Sequence, residues 1–229
     1  MTLSMAFIIV VGNPFDRRTR AMSLSGSDAA LVVVDVQNDF FPGGPLAIEG
    51  ADEIVPVINR LMTMAHHVAA IQDWHTKDHV SFSSNHKGKK PGDVVDTGGV
   101  RQALWSDHCV QMTRGAEFHP WLDARRVGLV LRKGARKDLD ATSAFVENDG
   151  KSVTGLAGWL SALGVKAVYV CGIATDSAVR ATALDARKLG LETIVVEDAC
   201  RGFDEAKGSP AAVAEMKKAG VKVVRSAEV

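Results

Sequence analysis

Cysteine is scarce in this chain, with three in 229 residues. An odd count at irregular spacing makes no disulfide framework and points to a reducing, cytoplasmic setting. Net charge is lacking as well, since Lys and Arg together number 27 and so do Asp and Glu. Without a basic field, neither nucleic acid nor an anionic membrane is expected as the main partner. The apolar N-terminal stretch "LSMAFIIVVG" falls far short of the roughly 20 residues that span a bilayer. It has no basic segment before it, and "NPFDRRTR" after it is no small-residue cleavage site, so neither a signal peptide nor an anchor is expected. Internal repeats and low-complexity tracts are absent too. What remains is ordinary globular usage, 46% apolar and 24% charged, at a length that suits one α/β domain. Residues 1–27 read as an extension and 28–229 as the domain proper.

Within that domain, short apolar runs alternate with helical patterns. "AALVVVDV" (29–36), "VAAIQD" (68–73), "VGLVLRK" (127–133), "KAVYVCG" (166–172), "ETIVVED" (192–198) and "VKVVR" (221–225) read as strands. They are continuous and β-branched rather than alternating, as a sheet covered on both faces requires. Helices are expected over "ADEIVPVINRLMTMA", with its proline in the first turn, and over "SVTGLAGWLSALG", "DSAVRATALDARKLG" and "SPAAVAEMKKAG", each ending at glycine. Such alternation implies right-handed βαβ units, a parallel sheet and three layers. Residues 74 to about 125 break the rhythm, with no clear strand and little helix, yet they hold Trp74, His75, His79, His86, Trp105 and His108. A loop region this long inside a compact domain is usually functional.

In open parallel sheets, ligands sit at the carboxyl ends of the strands. Asp35 follows four apolar residues, where partial desolvation suits a carboxylate to proton transfer, although a strand-end Asp also caps turns. Asp73 and His75, two apart in an extended chain, point the same way and can converge on one ion. His108 in "WSDHC" is a third candidate ligand and His79 a fourth or an outer group. Imidazole and carboxylate together suit Zn, Fe or Mn, and three protein ligands leave positions open. Histidines in a polar surface loop are the other reading. Lys133 leaves its strand either to reach solvent or as a charge partner. His119 and Trp121 read as loop packing. The fourth strand runs into "GIATDSAVR", a strand-to-helix turn of the kind that presents a nucleophile, where helix N–H groups make an anion site and would depress the pKa of a thiol. No cysteine is there. Its hydroxyls are Thr175 and Ser177.

"VVVDVQNDFFPGGPLAI", "QDWHTKDHVSF", "WSDHCVQMTRGAEFHP", "RKG…ATSAF" and "GIATD…VRATALDA…G…VVEDACRG" together resemble the nicotinamidases, also called pyrazinamidases, of the isochorismatase-like cysteine hydrolases. The resemblance runs from about Ala29 to Val224. It implies a Rossmann-like α/β/α fold with a six-stranded parallel sheet, hydrolysis of nicotinamide to nicotinic acid and ammonia, and a role in NAD salvage. It implies one divalent metal, Zn before Fe or Mn, on Asp73, His75 and His108, with His79 where some members place a further ligand. Asp35 then resembles the general base and Lys133 the cation that stabilises the thiolate. Phe40 and Trp105 resemble the walls around the pyridine ring, with Leu46 and Ile173 beside them. Ile173–Ala174 is similar to the family's cis peptide, and the N–H groups of Ala174 and Ala178 to its oxyanion hole. A homo-oligomer is compatible with the family.

One departure matters. The family's nucleophilic cysteine falls at position 178, which is Ala178 here. Three readings follow: a deliberate Cys→Ala change, a natural pseudoenzyme that binds nicotinamide without hydrolysing it, or takeover by Ser177. The first is favoured, because base, lysine, metal group and ring walls all persist. Ser177 lies one residue earlier, about 100° away if the turn is helical, and a hydroxyl needs stronger activation than a thiol. Cys171 sits before the turn, and Cys109 reads as packing. Within the family the rival function is another amidohydrolase or an isochorismatase.

Overall fold

The computed structural model describes residues 23–229; the proposed extension falls largely on residues 1–22, outside the described part. Six strands form one sheet: β1 (Ala29–Val34), β2 (His67–Asp73), β5 (Leu129–Lys133), β6 (Ala167–Ile173), β7 (Glu192–Arg201) and β8 (Lys222–Val224). Their order is β5-β2-β1-β6-β7-β8, and every pairing is parallel. Every residue of β1 and of β6 is buried, so the continuous β-branched runs do mark the centre of the sheet.

Helices α1 (Ala51–Met64), α2 (Leu156–Ala162), α3 (Arg180–Lys188) and α4 (Gly208–Lys218) flank the sheet. Helix α1 turns Ile54, Val55, Ile58, Leu61 and Met62 inward at helical spacing and packs on β1, β6 and β7. Among the described residues no helix is long and apolar enough to cross a membrane.

Three expectations need correction. Helix α1 begins at Ala51, so Pro56 lies in its second turn and not its first. It is tolerated because it faces outward, where water can satisfy the carbonyl it leaves unpaired. Strand β5 is not buried throughout. It lies at the edge of the sheet and alternates, with Val130 48% exposed. The segment after Trp74 does contain strands, a two-stranded antiparallel hairpin of β3 (Val94–Thr97) and β4 (Val100–Ala103). Its turn is Gly98–Gly99, both at positive φ, the backbone that two-residue hairpin loops demand.

The strand order reverses direction between β1 and β6. From β1 the chain moves outward through β2 to β5, then returns to the other side of β1 for β6, β7 and β8. That is the switch point at which open α/β sheets leave a crevice for ligands.

Candidate active site

Register places the charged groups. On β2 and β5, Asp73 and Lys133 are direct partners across the ladder, and Val34 of β1 pairs with both Ile71 and Gly172. Asp35 follows β1 at a positive φ of 51° and the turn at residues 174–179 follows β6, so the two face each other across the switch point.

The Lys133 ammonium is fully enclosed. It donates to Asp73 Oδ1 at 2.5 Å, to the Ala141 carbonyl at 3.1 Å, and pairs with Asp35 Oδ2 at 2.9 Å. One cation thus serves two buried carboxylates. Burial and the Asp73 charge raise the Asp35 pKa, and Lys133 only partly opposes them. Burial also pushes Asp73 upward, but Lys133 and the two imidazoles outweigh it and hold that carboxyl below its usual range. The other Asp35 oxygen, Oδ1, is buried without a hydrogen-bond partner.

Ligand atoms of Asp73, His75 and His108, all buried, lie within 4.8 Å of one another. His75 Nδ1 is 3.0 Å from the Gly134 carbonyl, and His108 Nδ1 is 2.8 Å from the Ser106 carbonyl. A carbonyl only accepts, so each Nδ1 carries a proton and each Nε2 is turned to the carboxylate, at 3.8 Å in both cases. Backbone carbonyls that fix imidazole tautomers in this way are the usual outer support of a metal site. Burial pushes the His75 pKa down and favours its neutral form; for His108 burial also lowers it, but the Asp73 carboxylate and the Ser106 carbonyl bond together outweigh burial and raise it. A proton or a cation at His108 Nε2 would satisfy that carboxylate equally. The donor set therefore fits a divalent ion.

His79 stands apart from this trio. Its Nδ1 accepts from the Ser81 N–H and hydroxyl at 3.2 and 2.7 Å, and Nε2 donates to the Leu139 carbonyl at 3.3 Å. It falls instead in a second buried group with His75 and Asp140. His86 bonds the Val80 carbonyl, and His119 stacks on Phe41 as loop packing.

Above these charges lies a crevice enclosing about 440 Å³ of atom-free space, part of it open to solvent. Asp35, Lys133, Asp73, His75 and His108 line its charged side. Phe40, Leu46, Trp105, Ile173 and Ala174 line its apolar side, and Ala178 is buried in its wall. The Ile173–Ala174 peptide is cis. Thr175–Val179 winds as a π-helical turn, with the Val179 N–H bonded to the Ala174 carbonyl, before α3 begins. In this wider turn Ser177 also reaches the pocket wall, which an α-helical reading of the turn did not anticipate. Cys109, Cys171 and Cys200 are buried, and desolvation raises all three thiols, so none is a ready nucleophile.

Several residues here escaped sequence reasoning. Gln37 is buried and clamps the Asp73 main chain, accepting its N–H and donating to its carbonyl, each at 2.8 Å. Asp39 accepts the Cys109 N–H at 2.6 Å and so fixes the loop beside His108. Asp140 binds Gln102 at 2.9 Å and tethers the hairpin to the site. Phe203 stacks on Trp105 at 5.5 Å between ring centroids and meets Phe40 edge-on at 6.4 Å. Polar residues two and four beyond Asp35 are a weak signal for the first two. Nothing local marks Asp140 or Phe203.

The isochorismatase domain model matches residues 29–228. A nicotinamidase of Acinetobacter baylyi is 47% identical over 200 residues, covering 87% of this chain and 94% of that protein. Among solved structures, an Acinetobacter baumanii nicotinamidase and pyrazinamidase superposes with a TM-score of 0.86 at 46% identity, over 89% of this chain and 98% of the other. A pyrazinamidase of Pyrococcus horikoshii, in complex with zinc, gives a TM-score of 0.72 at 36% identity, over 86% and 99% of the two chains. Matched over nearly its whole described length in sequence and fold, the chain belongs to the isochorismatase family.

Proposed function

We propose that this chain carries a nicotinamidase site, built to bind nicotinamide or pyrazinamide and to hydrolyse the amide to acid and ammonia once a thiol stands at position 178. The observation that carries the reading is one pocket in which the Asp35–Lys133 pair, the Asp73/His75/His108 group and the Phe40/Trp105 walls converge on Ala178. The names of the related proteins support the substrate class. The zinc-bound relative and the fixed tautomers of His75 and His108 support a divalent ion. When bound, such an ion supplies an anchor for the ring nitrogen, directly or through water.

The chain's own groups account for the remaining steps. Phe40 and Trp105 hold the ring flat, which sets the carboxamide over position 178 and supplies the proximity term. Asp35, its Oδ1 unpartnered and its pKa raised, takes the thiol proton. Lys133 balances the negative charge of thiolate and carboxylate. The thiolate sulfur bonds to the amide carbon, while the N–H groups of Ala174 and residue 178 hold the oxyanion, typically worth about 3–4 kcal/mol per donor. Asp35 returns the proton to the leaving nitrogen, the C–N bond breaks, and ammonia departs. A water deprotonated by Asp35 attacks the thioester, releasing the acid and restoring the thiol.

With Ala178 the chain binds and does not turn over. Calorimetry should detect nicotinamide binding to the chain as written, with no ammonia release above trace. Ala178→Cys should raise ammonia release on the order of a thousandfold or more, the scale on which a lost nucleophile is felt. Failure of Ala178→Cys to hydrolyse nicotinamide that it binds would overturn the reading in favour of a binding protein. Ser177 lines the same wall, so Ser177→Ala is the control: ammonia release by the parent that disappears in this variant would assign the chemistry to the hydroxyl.

A further inference from the structure

Phe203 lies one residue beyond the last stretch that carries the family resemblance, in the loop between β7 and α4. Its ring touches both aromatic walls, stacked on Trp105 with 29° between planes and edge-on to Phe40 at 66°. It lines the crevice and is 41% exposed, which puts it at the rim. A loop phenylalanine resting on a tryptophan is often packing and nothing more. This one has a dedicated clamp.

The N–H groups of Phe203 and Asp204 donate to the two carboxylate oxygens of Asp176, at 3.0 and 2.9 Å. Asp204 in turn accepts the N–H groups of Ala206 and Lys207 at 3.1 and 3.0 Å, and Gly202 donates to Glu205. The loop is seated directly on Asp176. A Cβ at Gly202 would lie 2.0 Å from Ser209 Oγ, and one at Gly208 would lie 2.6 Å from Asp176 Oδ2. Asp176 itself stands two residues before Ala178, so the turn that carries the reacting position also holds the rim aromatic.

We propose that Phe203 is a specificity-determining residue, closing the rim of the slot formed by Phe40 and Trp105 over a planar heteroaromatic amide, and that Asp176 is its positioning residue. The inference rests on the reading of the pocket as a nicotinamide site. Phe203 completes a three-sided aromatic enclosure and meets the edge of the ring that faces solvent. Substituents on that edge are what it excludes.

The test is calorimetric titration of the full chain with nicotinamide and with nicotinamides methylated singly at each free ring carbon. Phe203→Ala should weaken nicotinamide binding about two- to tenfold, the range of one aromatic contact. It should weaken at least one methylated analogue less, so that discrimination against that analogue falls. Phe203→Tyr keeps the ring and should keep the discrimination. Unchanged affinity and unchanged discrimination in Phe203→Ala would overturn the proposal. Asp176→Ala should reproduce the loss of discrimination in the parent and add nothing in a Phe203→Ala background. An undiminished further change in that background would mean that Asp176 acts on the turn itself, and would overturn its positioning role. Melting curves establish that each titrated variant is folded, and Asp176→Asn, which keeps one acceptor oxygen, serves the same comparison if Asp176→Ala does not fold. If the unaltered chain takes up no nicotinamide, the reading of the pocket falls, and this proposal with it; if the unaltered chain binds nicotinamide and Phe203→Ala behaves as it does, this proposal alone falls.

Discussion

Lys133→Met should cost this protein more stability than almost any other conservative change in volume. Methionine retains most of the apolar stem and removes the charge. In the folded chain that ammonium is buried and touches Asp35 Oδ2, Asp73 Oδ1 and the Ala141 carbonyl at 2.9, 2.5 and 3.1 Å. Without it, two buried carboxylates face each other with no cation, and a buried carbonyl loses its donor. Removing one partner of a buried ion pair costs about 3–5 kcal/mol. At about 2–4 °C per kcal/mol for a domain of this size, the melting temperature should fall by roughly 6–20 °C. The assay is thermal unfolding of parent and variant with a chelator present, so that no metal substitutes for the lost charge. The sign of the pH dependence follows. In the parent Lys133 helps to hold the Asp73 carboxyl below its unfolded value, near about 3.9. That stabilisation is present above the unfolded value and fades as the pH falls through the folded one, so the deficit of the variant is full at neutral pH and shrinks in acid. The variant should therefore lie closest to the parent in mild acid and furthest from it at neutral pH. A variant that melts within about 2 °C of the parent at neutral pH, where about 3 kcal/mol or more is expected, would refute the view of Lys133 as the cation that Asp35 and Asp73 share.

Metal should also register in stability: zinc at a hundred times its dissociation constant should raise the melting temperature by roughly 5–10 °C, and His108→Ala should abolish that shift. His79→Ala should leave the zinc stoichiometry, read by elemental analysis, unchanged, because both His79 nitrogens are engaged by Ser81 and Leu139. Its cost should instead be structural, about 1–3 kcal/mol for the buried partners left unpaired, read from a denaturant midpoint. Gly172→Ala should be worse than a packing change. The residue sits at φ 116°, and a Cβ would lie 2.1 Å from the Val34 carbonyl oxygen, so a steric clash adds to backbone strain of about 1–3 kcal/mol. A soluble Gly172→Ala chain with the parental denaturation midpoint would contradict that geometry.

How much of this could be read from residue order alone varies by element. The runs "AALVVVDV" and "KAVYVCG" announced central strands because a strand covered on both faces has no polar positions to interrupt it. The polar residues that end the strands announced the crevice, because in a parallel sheet all such ends lie on one side. Other features carried a signal that was missed. Gly98–Gly99 is a two-residue hairpin turn between alternating segments, and the start of α1 decides which turn Pro56 occupies. Strand β5 read as buried because its sequence resembles its neighbours; its exposure comes from its place at the edge, which is a property of strand order.

What sequence by itself determined here is chemistry of residue type at strand ends: a carboxylate after β1, a carboxylate ending β2 with an imidazole just beyond it, a lysine ending β5, and Ala178 in the turn after β6. What only the tertiary structure decided is who faces whom. Register made Asp73 the partner of Lys133, and the switch point set Asp35 against the turn at Ala178. The π-helical winding of that turn brought Ser177 to the wall, and backbone carbonyls from Gly134 and Ser106 chose the imidazole nitrogens that point inward. Phe203 reached the rim through a loop clamped on Asp176, a contact spanning 27 residues. Local pattern is blind to such pairings, because each depends on chain segments that meet only when the sheet is assembled.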